Sequence, residues 1–150
     1  MKKFDEKNRE KIQRVKNYLK EIRQLNLKIG NLKFTKENTE FKSMNFKNAK
    51  VIDEVNLVNI QIEEYQKELK EFISKSYILD SKEMEIISVY IDSSSYKEMI
   101  ERLSSRGIEE HVYTRKIPYI CLKLEPLIKD SDFGCVQRAN NEYLKRIEGA

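Results

Sequence analysis

YIDSSSYKEMIERLSSRGIEEHV, residues 90–112, has the start and stop signals of two short helices that meet at a tight turn. Ser95 and Glu98 have the spacing of a capping box, in which each side chain accepts a hydrogen bond from the other residue's backbone N–H. This spacing predicts a helix that begins at Tyr96. Gly107 then tolerates the positive φ that a reversal of the chain requires. The predicted buried face of the first helix comprises Met99, Ile100 and Leu103.

A second helix is predicted after the turn, because apolar side chains recur there at roughly helical spacing. Its buried side comprises Ile108, Val112, Tyr119 and Leu122. Its outward side comprises His111, Tyr113, Thr114, Arg115 and Lys116. Two helices joined in this way make a helix-turn-helix, a motif that presents its second helix to DNA.

Two longer helices are predicted upstream from a 3-4 apolar pattern. The first extends from about Asp5 to Ile29, and Gly30-Asn31 predicts its end. Residues 31–49 are interpreted as a polar linker. The second begins at Lys50. The apolar positions are Ile12, Val15, Leu19, Ile22 and Ile29 in the first helix, and Val51, Val55, Val58, Ile62, Tyr65, Leu69 and Phe72 in the second. Because neither helix can bury its stripe alone, an antiparallel hairpin or a dimer of two hairpins is predicted.

Asn26 interrupts the apolar pattern of the first helix. A polar residue within a seam fixes the register or the oligomeric state, whereas an Asn close to a helix end needs no such role. Both interpretations stay open at the level of sequence.

The expected fold class is all-α, with a long antiparallel helical hairpin followed by a small helix-turn-helix unit and a C-terminal helix. Asp80 and Glu83 form a second capping-box pattern, which predicts an additional helix just before the first pair. A last helix from about Cys135 to Ile147 is expected to dock on the chain or to extend into a partner. The predicted divisions are a hairpin arm over residues 1–79, a helix-turn-helix unit over residues 80–129 and a C-terminal helix or tail over residues 130–150.

Composition favours long exposed helices, because 36% of the 150 residues are charged and the chain has only four Gly and two Pro. No apolar run approaches the roughly 18 residues of a membrane span, and the N-terminus lacks a signal-peptide pattern, so we expect a cytoplasmic protein without a membrane partner. Cys121 and Cys135 are expected to be small buried thiols. The single His, the cysteine spacing and the scattered glycines predict no metal, no cofactor and no enzymatic activity.

Positive charge is concentrated in the first helix. Residues 1–36 contain 12 Lys and Arg against 4 Asp and Glu, a net charge of +8, whereas residues 37–95 contain 7 against 12. The first helix can therefore attract phosphate or an acidic partner surface, unless its charges only form a solvated face.

A resemblance to a known group of proteins rests on three features: the segment RVKNYLKEIRQLNLKI (residues 14–29), the polar gap with the long second helix, and the block YIDSSSYKEMIERL (residues 90–103). Together they resemble the ArpU and RinA families of phage transcriptional regulators, over most of residues 12–125. Those families pair an N-terminal helical region with a helix-turn-helix similar to region 4 of sigma-70 factors. The family block has a Tyr-Ile pair, an acidic residue and an aromatic residue, and Tyr90, Ile91, Asp92 and Tyr96 stand in those places.

The resemblance implies which residues meet DNA. His111 and Val112 match the start of the family's recognition helix, which implies base-facing or phosphate-facing positions for Glu109, Glu110, His111, Tyr113 and Thr114. The chain departs from the family at Ile100, at Arg115 and in a longer turn. Pro118 predicts a kink or a helix that begins afresh.

The chemistry of the side chains is compatible with DNA binding. Arg106, Arg115 and Lys116 can contact phosphate or guanine, and Thr114 can meet phosphate or a thymine methyl. Glu109 and Glu110 repel phosphate but can accept from the cytosine amino group. We therefore expect a phage-type regulator that binds double-stranded DNA as a homodimer. The alternative is a non-enzymatic helical module that binds RNA polymerase or another protein through a degenerate motif.

Overall fold

A computed structural model describes residues 4–43 and 49–148 of the chain. Most of these residues lie in helices, and none lies in a strand. The predicted all-α class is confirmed. The α-helices are α1 (Glu6–Ser43), α2 (Ala49–Lys75), α3 (Ser81–Asp92), α4 (Tyr96–Ser105), α5 (Glu110–Leu124) and α6 (Cys135–Glu148). Short 3-10 turns occupy Ser76–Ile78, Glu125–Leu127 and Asp130–Asp132. Buried side chains from all six α-helices form one apolar cluster.

Helix α1 passes through Gly30 without a break and ends at Ser43. The predicted stop at Gly30-Asn31 is therefore wrong, as is the linker over residues 31–43, while residues 44–48 of that linker lie outside the described residues. A glycine stop needs positive φ, which among the described residues only Gly107 and Gly134 adopt. Gly30 lowers helix propensity by about 1 kcal/mol, which the packing of α1 against α2 outweighs.

Helices α1 and α2 pack side by side as the predicted antiparallel hairpin. At one level of the hairpin the ring centroids of Tyr18 and Phe72 lie 6.1 Å apart. Further along α1, Leu32 lies beside Gln61 of α2, so residue numbers rise in one helix while they fall in the other. The side chains of residues 41–52, including Val51, lie outside the described residues.

Asn26 connects α1 to the end of α3. Its Nδ2 donates to Asp92 Oδ1 at 2.7 Å and to the carbonyl of Ile91 at 3.3 Å. Both acceptors belong to the last turn of α3, where backbone carbonyls lack partners within the helix. The interpretation of Asn26 as a helix-end residue is wrong, because this side chain fixes α3 against the middle of α1.

The two predicted capping boxes differ in the structure. Asp80 and Glu83 form the complete box, with Asp80 Oδ1 accepting from the Glu83 N–H at 2.8 Å and Glu83 Oε1 accepting from the Asp80 N–H at 2.9 Å. Ser95 also accepts from the Glu98 N–H, at 3.1 Å. The carboxylate of Glu98, however, accepts from the N–H and the hydroxyl of Ser94 rather than from Ser95. Only the first half of the second box is therefore confirmed, since Ser94 offers two donors to one carboxylate oxygen.

The turn between α4 and α5 is a Schellman motif. Gly107 has φ +79°, its N–H donates to the carbonyl of Ser104 at 3.0 Å, and the N–H of Ile108 donates to the carbonyl of Leu103 at 2.9 Å. Ile108 and Leu103 are both buried, as the hydrophobic contact of this motif requires. The predicted reversal at Gly107 is confirmed, and it sets the angle at which α5 leaves α4.

Helix α5 buries a face that differs from the predicted one. Ile117, Ile120, Cys121 and Leu124 are buried, whereas Tyr119 is 48% exposed. Of the other predicted core positions, Ile108 is buried, and Val112 and Leu122 are half-buried. Pro118 lies inside the helix, so the prediction of a helix that begins afresh there is wrong. The loss of one backbone hydrogen bond at Pro118 is offset by the buried isoleucines on either side of it.

Helix α6 docks on α2, one of the two arrangements expected for it. Arg138 contacts Glu68 through Nη2 at 2.7 Å and through Nε at 3.0 Å, while Arg146 contacts the buried Glu64 at 2.8 Å. Ala139 lies in the core between these two arginines in sequence. The C-terminal segment is thus part of the same packed unit as the hairpin.

The uninterrupted course of α1 predicts opposite effects of alanine at two glycines. Gly30→Ala should raise the free energy of unfolding by about 1 kcal/mol, because alanine is the better helix former and a Cβ at this position would meet nothing within 4 Å. Gly107→Ala should lower it by roughly 1 to 2 kcal/mol, because an L-residue is strained at positive φ. Chemical denaturation measures both changes. Destabilisation by Gly30→Ala would contradict the continuous helix.

The core position of α4 predicts a large effect of truncating Leu103, whose side chain has no exposed surface. Leu103→Ala should lower the free energy of unfolding by about 2 to 4 kcal/mol through the lost burial and the cavity left behind. The matched control is Leu144→Ala on α6, where the side chain is 46% exposed and the change should stay within about 0.5 kcal/mol. Equal stability of the two variants would rule out the described packing.

Candidate nucleic-acid interface

The predicted site residues gather around the start of α5. The side chains of Glu109, Glu110, His111, Thr114 and Arg115 line one open depression of about 760 Å³, together with Phe4, Pro118 and Tyr119. Glu109, Glu110, His111, Thr114 and Arg115 are exposed, and for the last three this agrees with the predicted outward face of the second helix. The Schellman turn and the buried face of α5 position this surface, because they fix where the helix begins and which side it turns outward.

Arg106 lies apart from this group. It is the C-terminal capping residue of α4, and its Nη1 lies 3.9 Å from Glu85 Oε1 of α3. The arginine is exposed and does not line the depression. Among the predicted site residues, Arg106 therefore sits on the α3 side of the turn.

Tyr113 and Lys116 are half-buried, so the prediction that they face outward is wrong in part. At about 100° per residue, both belong to the side of α5 that carries Ile117 and Ile120. The ring of Tyr113 packs edge-on against Tyr96, with centroids 6.2 Å apart. Burial raises the pKa of Tyr113, which keeps its hydroxyl protonated.

Two carboxylates stand at the start of α5, where the helix dipole favours negative charge. Glu110 accepts a hydrogen bond from the Tyr96 hydroxyl at 3.1 Å, and Glu109 Oε2 lies 3.4 Å from His111 Nδ1. Desolvation raises the pKa of Tyr96, and the bond to Glu110 adds to that rise. The orientation of Glu110 is therefore held from the first helix of the motif, which gives it a fixed position on the surface.

Thr114 and Arg115 differ in how firmly they are held. The Thr114 hydroxyl donates to the carbonyl of Glu110, one turn back, at 3.0 Å. Within the described part of the chain, Arg115 forms no ion pair, so its guanidinium is available to an incoming anion. This pair places a methyl group and a fork of N–H donors side by side on the outer face of α5.

Some lining residues were not identified from the sequence. Tyr119, predicted to be buried, forms the wall of the depression and packs edge-on against Phe4 at 5.3 Å between ring centroids. Lys16, Lys20 and Arg23 of α1 face α5 across a second groove of about 650 Å³. The charge of the first 36 residues indicated that α1 is basic, but only the packing of α1 against α5 shows which cations lie beside the motif.

The described residues contain no group of three or more His, Cys, Asp or Glu side chains arranged to hold a metal ion. The two thiols, on α5 and α6, are buried as predicted, and desolvation raises the pKa of each to about 11. Such thiols are protonated near neutral pH and lack the thiolate that reacts as a nucleophile.

Comparison with known proteins gives no relative from which a function could be transferred: no family model, no curated protein and no solved structure matches the chain. Among the described helices, none combines the length and the apolar character that crossing a membrane requires. The similarity to phage regulators therefore stays a prediction, and the geometry around α5 carries the functional argument.

The buried thiols predict slow chemical modification of the folded protein. Cys121 and Cys135 should react with a disulfide reagent at pH 8 far more slowly than in denaturant, because the pKa of each is about 11 and each side chain lies in the core. The absorbance of the released chromophore measures both rates. Fast reaction of either thiol in the native protein would contradict its placement.

Proposed function

We propose that this chain is a phage-type transcriptional regulator that binds double-stranded DNA through α4, the turn at Gly107 and α5. The observation that carries the proposal is the outer face at the start of α5, where His111, Thr114 and Arg115 stand exposed on the second helix of the pair. In a helix-turn-helix, the N-terminal residues of the second helix contact base edges in the major groove. The hydrogen bonds of the Schellman turn join α4 to α5 in one orientation, and a helix that contacts base edges needs a defined orientation.

The size of α5 suits the major groove. Its 15 residues make a rod about 22 Å long, and a B-form major groove about 12 Å wide admits one helix. With α5 in the groove, Arg115 offers a bidentate contact to guanine or a bond to phosphate, and the Thr114 methyl can meet thymine. His111 adds a donor one turn closer to the helix start.

The carboxylates shape the specificity of this face rather than its affinity. Glu109 and Glu110 are repelled by phosphate at every site, which lowers non-specific binding. Glu110 is held by the Tyr96 hydroxyl at 3.1 Å, so it is preorganised to accept from the amino group of cytosine. We therefore propose that the face reads a site containing cytosine and guanine and binds random DNA weakly.

A homodimer is part of the proposal. Phe34 of α1 is 68% exposed and Leu57 of α2 is 40% exposed, and the antiparallel register places them at about the same level of the hairpin. A twofold-symmetric second copy that covered these side chains would bring a second α5 into the assembly, and the half-sites of a DNA target would then be inverted.

The second candidate is a helical module that binds RNA polymerase or another protein without reading DNA. It is favoured by a second exposed apolar group, in which Tyr77 is 76% exposed and Ile73 is 52% exposed, at the end of α2 and in the 3-10 turn after it. The negative charge at Glu109 and Glu110 also favours it, because acidic residues are disfavoured beside phosphate.

Selection from a random duplex pool separates the two candidates. Wild-type protein is titrated into labelled duplexes at two salt concentrations and the bound fraction is sequenced, beside Glu109→Gln/Glu110→Gln. DNA reading predicts an enriched motif with inverted half-sites, and the glutamine variant should bind random duplex more tightly while it relaxes the motif. Binding without any enriched motif would overturn the proposal, and a stoichiometric complex with RNA polymerase would then favour the second candidate.

The role of Arg115 predicts a change in the salt dependence of DNA binding. Arg115→Ala should lower the slope of log affinity against log salt by about one unit if the guanidinium contacts a phosphate, and it should leave thermal unfolding unchanged because the side chain is exposed. Lys70→Ala removes the same charge from an exposed position of α2 away from the motif and serves as the control. An unchanged slope for Arg115→Ala would remove this residue from the interface.

A further inference from the structure

A concave groove separates the basic face of α1 from the inner edge of α5 and has a volume of about 650 Å³. Pro118 contributes apolar surface above the buried Leu19 and Ile117, and three tyrosine rings, those of Tyr90, Tyr96 and Tyr113, complete the walls. Small-molecule sites in proteins span about 300 to 1,000 Å³ and combine apolar walls with a few convergent polar groups. The groove has both properties.

The cations of the groove are Lys16, Lys20 and Arg23, spaced four and three residues apart along one face of α1. In the described ranges, no carboxylate forms an ion pair with any of the three, although ion pairs occupy several other cations of the protein. The guanidinium of Arg23 lies over the ring of Tyr90 at 5.4 Å from its centroid. Positive charge is thus concentrated at the rim without an internal counter-charge.

The tyrosine hydroxyls add donors. The hydroxyl of Tyr96 is used by Glu110, but those of Tyr90 and Tyr113 form no hydrogen bond with any described residue. Burial raises the pKa of Tyr90 and of Tyr113, so both phenols keep the proton that they would donate. Phenol donors without internal acceptors and cations without an internal carboxylate partner therefore line the same groove.

These features select one class of ligand. The cations and phenols require an anionic group, and a flat apolar body suits the aromatic walls because rings stack or pack edge-on at low cost. A DNA duplex is too broad to enter a groove of this size, so it could touch only the rim. We propose that the groove binds a small organic anion with an aromatic body, of the aromatic carboxylate class, with its ring against Tyr113 and Pro118 and its carboxylate held by Lys20 and Arg23.

This site is independent of DNA reading. It draws its charge from α1, whereas the depression on the outer face of α5 draws its polar groups from the start of that helix. Thr114 and Pro118 line both surfaces, but the cations of the groove belong to it alone.

The test uses naphthalene-2-carboxylate and its neutral counterpart naphthalene-2-carboxamide as probes, titrated into the full chain by calorimetry. The carboxylate should bind saturably and roughly tenfold more tightly than the carboxamide, because at least one charge-assisted hydrogen bond distinguishes them. Lys20→Gln/Arg23→Gln should weaken carboxylate binding by roughly tenfold or more and leave carboxamide binding unchanged. Lys33→Gln, an exposed position further along α1, is the matched control and should bind as wild type does.

Three results would overturn the assignment: equal affinity of wild type for the two probes, no saturable binding of the carboxylate, or full carboxylate affinity in Lys20→Gln/Arg23→Gln. The comparison of two probes on wild type needs no variant to fold. Random duplex binding is measured on the same proteins. If the double variant loses DNA binding but keeps carboxylate binding, the two cations belong to the DNA interface instead. If the wild-type chain binds the carboxylate but selects no DNA motif, the groove assignment holds and only the proposed function is overturned.

Discussion

Burial of one stripe of α1 is the constraint on which the rest of this structure depends. Val15, Leu19, Ile22 and Leu25 are almost wholly buried, and α2, α3, α5 and α6 all pack against the helix that carries them. Since apolar burial contributes about 25 cal/mol per Å², such a shared surface outweighs the weak surface ion pairs elsewhere. Polar contacts then fix the register: Asn26 holds the end of α3, and the Arg14 guanidinium donates to the carbonyl of Ile128 at 2.9 Å.

The same packing gives α5 two working sides. Ile117 and Ile120 pack into the core, and the helical periodicity therefore places Thr114 and Arg115 on the solvent side. The inner edge meets α1 and forms a groove with cations on one wall, and the outer edge forms the depression with carboxylates at the helix start. The two surfaces thus lie on opposite edges of one helix and draw on different polar groups.

Local sequence rules accounted for most of the helix boundaries. The caps at Asp80 and Ser95 and the reversal at Gly107 depend on groups a few residues apart, so their patterns are legible without tertiary contacts. The predicted stop at Gly30 was wrong because glycine permits a reversal but does not impose one, and packing of α1 on α2 decided in favour of a continuous helix. The prediction of a new helix at Pro118 was also wrong because of tertiary packing. The buried neighbours of Pro118 stabilise a continuous helix, which proline would interrupt in the isolated segment.

By itself the sequence determined the all-α class, the hairpin, the capped pair of short helices and the residue types at the start of α5, because apolar period and capping are properties of short segments. Only the tertiary structure decided which of those residues face solvent. Tyr113 turned inward and Tyr119 outward, since the face of α5 that becomes buried depends on where α1 and α3 lie. Lys16, Lys20 and Arg23 lie beside three tyrosines that are up to about a hundred positions away in the sequence. Tertiary packing brings these residues together, and no local sequence pattern encodes it.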